Sequence, residues 1–227
     1  MLDGRILATG LAEQKDCAPI PYKIIDPTST NNNLGLVGLA IQRWTVESHD
    51  FAYLHRRGQL TIDVVDRADF AVQVLTIINT NLLIGVCCQV LAVDPDDNIL
   101  AAGQFTYVPP TEATINFVAV EPRNIPSSPY VRQVRGLGTA IVANIARHML
   151  KNQVTTVYLH PLDADARRFW IGRGFGQCGA GSLLCIRGVD KIQHLIDGCI
   201  RNPETPDKDQ LLCGLPARVR SRMLVAR

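Results

Sequence analysis

A glycine-containing loop in front of an apolar helix is the feature that most restricts what this 227-residue chain can fold into. The loop reads Gln133-Val134-Arg135-Gly136-Leu137-Gly138, and it follows an apolar segment that ends in Phe117-Val118-Ala119-Val120. Glycine lacks a side chain, so the backbone can approach a ligand closely at these positions. The start of a helix also presents free N–H groups and the positive end of the helix dipole. The loop therefore favours the binding of a pyrophosphate.

The segments after the loop predict alternating helices and strands. Apolar residues at helical spacing indicate helices, and alternating β-branched and aromatic residues indicate strands. The predicted elements are a helix over Leu137–Leu150, a strand over Val154–His160, a helix over Ala164–Ile171 capped by Asp163, a hairpin around Cys178 and Leu183–Ile186, and a helix over Asp190–Ile200.

The segments before the loop are harder to interpret, and the N-terminal third is the least clear. The same criteria, with turn-forming residues between elements, predict a mixed arrangement that ends in three antiparallel strands. The predicted elements are a linker over Asp26–Asn33, a helix from Leu34–Ile41 toward Trp44, a strand over Gln59–Val65, a helix over Arg67–Asn79 capped by Asp66, and strands over Leu82–Val93, Ile99–Val108 and Thr114–Val120.

This order of elements, with two motifs inside it, resembles the GNAT family of acetyl-CoA-dependent N-acetyltransferases. The motifs are Q-x-x-G-x-G from Gln133 and D-x-x-A-x-x-F-W-x-x-x-G-F from Asp163 to Phe175. The likeness covers roughly residues 60–187, and the specific motifs lie in 115–175. It implies an α/β (α+β) fold with a central mixed, mostly antiparallel twisted sheet and helices on both faces. It also implies that the sheet is splayed between the fourth and fifth core strands.

Acetyl-CoA is the cosubstrate that the resemblance implies. The backbone of Val118 and Val120 would pair with the pantetheine arm as an added strand does. The Val118 N–H would polarise the thioester carbonyl. In the loop, backbone N–H groups of Val134, Gly136, Gly138 and Thr139 are the expected phosphate donors, and Arg135 would add positive charge. The candidate cofactor-binding residues are Val118, Ala119, Val120, Gln133, Val134, Arg135, Gly136, Leu137, Gly138, Thr139, Asp163, Ala166, Phe169 and Trp170.

Transfer to an amine requires a base, because a free lysine amine has a pKa of about 10.4 and only the neutral amine attacks. Glu112, Glu121 and His160 are the candidate catalytic residues, since each adjoins an end of the two strands that would splay. For each, the alternative is an ordinary surface carboxylate or a hydrogen-bonded histidine at a strand end.

Three features depart from the family pattern. Trp170 stands where many members carry a tyrosine that protonates the leaving thiolate, and an indole N–H is not an acid at working pH. Asp163 replaces a common asparagine, and a helix cap is its expected role. The segment Glu121–Arg132 is longer than usual and holds three prolines. It is either an ordered flap, to which Tyr130 belongs, or a surface insertion.

Composition restricts the classes of partner that we expect the chain to bind. With 23 basic and 21 acidic side chains the net charge is +2, which gives no case for a nucleic-acid binder. Seven cysteines without a C-x-x-C pair predict reduced intracellular thiols and no metal site. Polar residues interrupt the apolar run Val74–Val93, so no membrane helix is expected. We expect a cytoplasmic protein whose partners are acetyl-CoA and an amine acceptor, without nucleic acid or membrane, and with a homodimer left open.

The expected organisation is an N-terminal extension with helices over 1–58, a core that binds acetyl-CoA over 59–187, and a C-terminal helix with a basic tail over 188–227. Three alternatives to an N-acetyltransferase stay open. In the first, the domain holds acyl-CoA without transferring the acyl group. In the second, it transfers an acyl group larger than acetyl. In the third, the chain is an interaction protein that uses its N-terminal third.

Overall fold

A nine-stranded sheet with helices on both faces is formed by the residues that this computed structural model describes, which are 4–14, 20–27, 31–85, 87–125, 134–179 and 181–201. The helices are α1 (Asn31–Arg56), α2 (Ile62–Ile84), α3 (Leu137–Lys151), α4 (Ala164–Ile171) and α5 (Val189–Arg201). The strands are β1 (Gly4–Gln14), β2 (Ile20–Pro27), β3 (Cys88–Val93), β4 (Ile99–Val108), β5 (Glu112–Val120), β6 (Val134–Arg135), β7 (Thr156–Leu159), β8 (Gly176–Gln177) and β9 (Leu184–Arg187).

The strand order across the sheet is β6-β1-β2-β3-β4-β5-β7-β9-β8. The pair β5–β7 is parallel, and the other neighbouring pairs are antiparallel. A parallel pair needs a crossover between its strands, and α3 lies in that connection. The mixed, mostly antiparallel sheet predicted from the sequence is therefore confirmed.

Both faces of the sheet are covered because successive residues of a strand point to opposite sides. In β3, Val90 and Ala92 join the apolar cluster that contains the buried side chains of α3 and α5. Leu91 and Val93 join the cluster that contains those of α1 and α2. The two layers of helices explain why the central strands are mostly apolar on both faces rather than alternating.

Gly103 in β4 lets α3 lie close to the sheet. A Cβ atom at this position would stand 2.5 Å from Cγ2 of Ile141 and 2.9 Å from Cδ1 of Ile145. Both distances are shorter than van der Waals contact, so a larger residue would push α3 away. The first turn of α3 adjoins the candidate site. Gly103 therefore helps to set the position of that turn.

The predicted strand over Gln59–Val65 and the beginning of the predicted strand over Leu82–Val93 are wrong. Helix α2 contains residues 62–65 and 82–84 of these segments, and its buried positions, which include Val65, Ala68 and Leu75, recur at helical spacing. β-Branched residues near the start of α2 favour a strand locally. Packing of the buried face of α2 outweighs that local preference, so the segment is helical. The helix ends at Gly85, which has a φ of 66° and donates its N–H to the carbonyl of Asn81.

Strands β1 and β2 were not predicted from the sequence. Strand β2 joins the sheet through pairs such as Lys23↔Val93 and Ile25↔Leu91, whose members are far apart in sequence. Ile24 and Ile25 are both buried, on opposite faces. A pattern of local alternation does not reveal such a strand, because both of its faces are covered.

The hairpin β8–β9 carries a disulfide between Cys178 and Cys185, with a Cα–Cα distance of 5.6 Å. The expectation of reduced thiols is therefore wrong for these two residues, since strand pairing brings them within bonding distance. Cys87, Cys88 and Cys199 are free. No helix in the described part of the chain is long and apolar enough to cross a membrane.

Candidate functional site

The strands β5 and β7 separate partway along their length. They pair from Glu112↔Thr156 to Ile115↔Leu159, where β7 ends. Strand β5 continues to Val120, still paired with β4 on its other side. The edge of residues 116–120 that faces β7 consequently has no strand partner among the described residues. This is the predicted splay between the two core strands, and an extended ligand fits such an edge as an added strand would.

A cavity of about 410 Å³ fills the gap between the separated strands. Its apolar walls come from β5, from α4 and from α2. The structure brings together on this cavity many of the residues predicted from the sequence, namely Val118, Ala119, Val120, His160, Asp163, Ala166, Phe169 and Trp170.

The N-terminus of α3 lies beside this cavity, and its first N–H groups are free of acceptors within the helix. Gly136 precedes the helix with a φ of 82°, which is a left-handed conformation suited to glycine, and no side chain caps the helix. The first bond of the helix runs from the N–H of Ala140 to the carbonyl of Gly136 at 2.8 Å. The N–H groups of Leu137, Gly138 and Thr139 thus have no acceptor within the helix.

The loop and the cavity adjoin each other. A Cβ atom on Gly138 would lie 3.5 Å from Cγ1 of Val120, the last residue of β5. An anion at the helix start and an extended chain along β5 would therefore be contiguous. The backbone N–H of Val134, just before the helix, was predicted to donate to a phosphate. It donates instead to Oδ1 of Asn124 at 2.8 Å.

Two other predicted loop residues contribute less to the described site. Arg135 lies in the two-residue strand β6, paired with β1, and is exposed. Gln133 lies outside the described residues, as do most of the predicted flap, including Tyr130, and the basic tail after Arg201.

The three candidate bases have different surroundings. His160 lines the cavity, is exposed, and has its Nδ1 3.3 Å from Oγ of Ser182. Glu112 lies at the closed, paired end of β5, where it accepts a hydrogen bond from the Tyr158 hydroxyl at 3.1 Å. Neither Glu112 nor Glu121 is among the residues that line the cavity.

Glu121 belongs instead to a buried ionic cluster. Its carboxylate lies 2.9 Å from Nη2 of Arg43 on α1 and accepts a hydrogen bond from Nδ2 of Asn124 at 3.2 Å. Burial raises the pKa of Glu121, and the nearby Arg43 and Arg123 oppose that rise. In the same cluster Nε of Arg123 lies 2.6 Å from Oε1 of Glu47. These contacts attach α1 to the segment that follows β5.

Asp163 and Trp170 have mainly structural contacts. Oδ1 of Asp163 accepts the N–H of Ala166 at 2.7 Å and caps α4, as predicted, and Oδ2 lies 3.2 Å from Nη2 of Arg67. Trp170 is buried, with its ring edge-to-face against Phe169 at 5.0 Å and Phe175 at 5.3 Å. One side of α4 thus supplies an aromatic wall to the cavity.

Several residues of the site were missed in the sequence. Arg67, Phe70 and Ala71 line the cavity from α2, with the i, i+3, i+4 spacing of one helix face. That spacing was visible, but which face meets the cavity depends on how α2 packs. Arg173, which follows α4, places Nη2 3.4 Å from Oγ1 of Thr139 at the start of α3. Among the described residues no group of His, Cys, Asp and Glu is arranged to hold a metal ion.

Comparisons with known proteins find only distant similarities. No protein-family model matches the chain, and no curated protein matches it. Among solved structures it is similar to a candidate acetyltransferase of the GNAT family from Desulfovibrio desulfuricans, at 16% identity and a TM-score of 0.44, with 73% of this chain and 98% of that one covered.

Two further similar structures contain bound partners. One is AtaTR bound with AcCoA, at 14% identity and a TM-score of 0.43, covering 53% of this chain and 80% of that one. The other is the KacTA–DNA complex, at 16% identity and a TM-score of 0.44, covering 56% and 85%. The absence of a nucleic-acid partner here stays a prediction. The antiparallel strands β2 to β5, the parallel β5–β7 pair that separates and the glycine loop before α3 match the arrangement that the resemblance to the GNAT family implied.

Proposed function

We propose that this chain is an acetyl-CoA-dependent N-acetyltransferase that moves an acetyl group to a primary amine by direct attack on the thioester. The observation that supports it is the gap between β5 and β7, which adjoins the free N–H groups at the start of α3. The unpaired edge of residues 116–120 would hold the pantetheine arm, and Gly138 and Thr139 would donate to the pyrophosphate.

The reaction joins the amine nitrogen to the acetyl carbon and breaks the carbon–sulfur bond, whose electron pair leaves with the CoA sulfur. The amine loses a proton, and the thiolate gains one. His160 is the proposed base, because it alone of the three candidates is among the residues that line the cavity. Imidazole is the usual side-chain base near neutral pH. The N–H of Val118 is the proposed donor to the thioester oxygen.

A second candidate function is binding of acyl-CoA without transfer. Trp170 favours it, since this buried indole occupies the place of the expected acid and its N–H is not acidic near neutral pH. If transfer occurs, we propose that water protonates the thiolate. Turnover of acetyl-CoA over a panel of amines separates the two candidates, and the same assay with succinyl- and longer acyl-CoA tests the size of the acyl group.

The first test of the site is calorimetric titration of the Gly138→Glu variant with acetyl-CoA. A carboxylate at the second position of α3 suits the helix dipole, and its Cβ fits beside Val120, so the fold should persist. The new carboxylate would repel the pyrophosphate of acetyl-CoA, and we expect acetyl-CoA to bind roughly tenfold or more weakly.

Two controls accompany that titration. Gly138→Ala adds only the Cβ atom that fits, so it tests space without charge. Gly198→Glu introduces the same carboxylate on α5, at a position with open space around it. Equal affinity of wild type and Gly138→Glu would place the ligand elsewhere, and no binding by the wild type would end the acetyltransferase proposal.

A further inference from the structure

The side chain of Arg173 lies across the first turn of α3, where the proposed function places the phosphates. Its guanidinium carbon is 3.9 Å from the centroid of the Phe169 ring, and Nη2 donates to Oγ1 of Thr139 at 3.4 Å. Phe169 in turn lines the cavity. Stacking on an aromatic ring holds the guanidinium plane in place and leaves its edge for hydrogen bonding.

No negative charge in the described part of the chain balances this cation. Arg173 forms no ion pair there, whereas Arg67, which lines the cavity, is paired with Asp163 and Asp165. Arg173 also donates a hydrogen bond to the Cys199 thiol on α5, but burial raises the pKa of that thiol, so it carries no negative charge near pH 7. Nε of Arg173 is buried without an acceptor among the described residues.

The position is electrostatically unfavourable for a lone cation. A helix start carries a positive partial charge, so a guanidinium beside it is repelled. A buried donor without an acceptor adds a further cost. An anion between the guanidinium and the free N–H groups of α3 would remove both costs, because a phosphate oxygen accepts from both kinds of donor.

We propose that Arg173 binds a phosphate group of the CoA ester and makes the site selective for the phosphorylated cofactor over its pantetheine portion. This inference rests on the proposed function and deepens it. The sequence suggested that Arg135 supplies positive charge near the phosphates, but Arg135 is exposed on β6. Arg173 would supply that charge instead. The phosphate is either the diphosphate or the 3′-phosphate, which share this chemistry.

Calorimetric titration of Arg173→Gln tests the proposal with four probes: CoA, dephospho-CoA, 4′-phosphopantetheine and pantetheine. We expect CoA to bind at least about tenfold more weakly than to the wild type, because a charge-assisted hydrogen bond is lost. Pantetheine should bind equally to both proteins. A matching loss with dephospho-CoA assigns the contact to the diphosphate, and no loss with dephospho-CoA assigns it to the 3′-phosphate.

Arg57→Gln is the matched control, since Arg57 also stacks on an aromatic residue four positions earlier, Tyr53, at 5.4 Å. It should leave all four affinities unchanged, and thermal melting should show both variants folded. Equal CoA affinity of wild type and Arg173→Gln overturns the proposal, as does an equal loss for pantetheine, which indicates a structural role. If the wild type binds none of the four, the proposed function itself fails.

Discussion

His160 and Glu121 follow the ends of the two strands that separate, and each contacts a different environment. His160 is exposed on the cavity wall beside Ser182. Glu121 is buried and paired with Arg43. A general base must reach the reacting amine to accept its proton. The buried carboxylate of Glu121 is paired with Arg43 instead, so it is not available to the amine. The two residues should therefore differ in what their substitution changes.

We predict that His160→Ala lowers kcat by about 10²- to 10⁴-fold, because general-base catalysis contributes about that much, while acetyl-CoA affinity is unchanged. Glu121→Gln should instead lower the stability by a few kcal/mol, since it leaves Arg43 partly buried without its counter-charge. Steady-state kinetics, calorimetry and urea denaturation measure these effects. Loss of turnover in Glu121→Gln at unchanged stability would reverse the assignment.

At the scale of elements, the site depends on how closely α3 lies on β4. The side chains of Ile141 and Ile145 occupy the space above Gly103, and the start of the same helix supplies the free donors. The interior is densely packed, so an added atom at this contact must displace the helix or strain its side chains.

We predict that Gly103→Ala lowers the free energy of unfolding by about 1–3 kcal/mol, the usual cost of overpacking. Gly176→Ala in β8 is the control, because a Cβ there meets open space. Urea denaturation of both variants provides the measurement. Combining Gly103→Ala with Ile141→Ala should cost less than the two changes summed, since the second removes the clashing Cγ2. Strict additivity would mean that the contact is not tight.

At the scale of the whole molecule, a buried ionic cluster joins the N-terminal helices to the segment after β5. Arg43 pairs with Glu121, and Arg123 lies against Glu47, whose exposure is 1%. Burial, followed by the charge of Glu121, raises the pKa of Glu47 from 4.5 to about 7. The folded protein therefore holds a proton that the unfolded chain releases at lower pH.

We predict that this group makes wild-type stability fall as pH rises from about 4.5 to 7, because between those values the folded state binds more protons than the unfolded state. The difference amounts to roughly 3 kcal/mol at most. Glu47→Gln should lack this component. Urea denaturation at several pH values between 5 and 8 checks it, and parallel curves for the two proteins would contradict the raised pKa.

By itself the sequence determined the elements that depend on neighbouring residues. The helix over Ala164–Ile171 with its Asp163 cap, the strand over Ile99–Val108 and the start of α3 at Leu137 were all predicted correctly, because caps, spacing and turns are local properties. The mixed, mostly antiparallel sheet was expected from the resemblance of this order of elements to the GNAT family.

Only the tertiary structure decided which side chains meet. Helix α2 replaced a predicted strand, and β2 joined the sheet through pairs distant in sequence. His160 faces the cavity while Glu112 and Glu121 are not among the residues that line it, and Arg173 reaches Thr139 across 34 positions of the chain. These contacts depend on packing between elements, and the local pattern of residues carries no information about which surfaces will face each other.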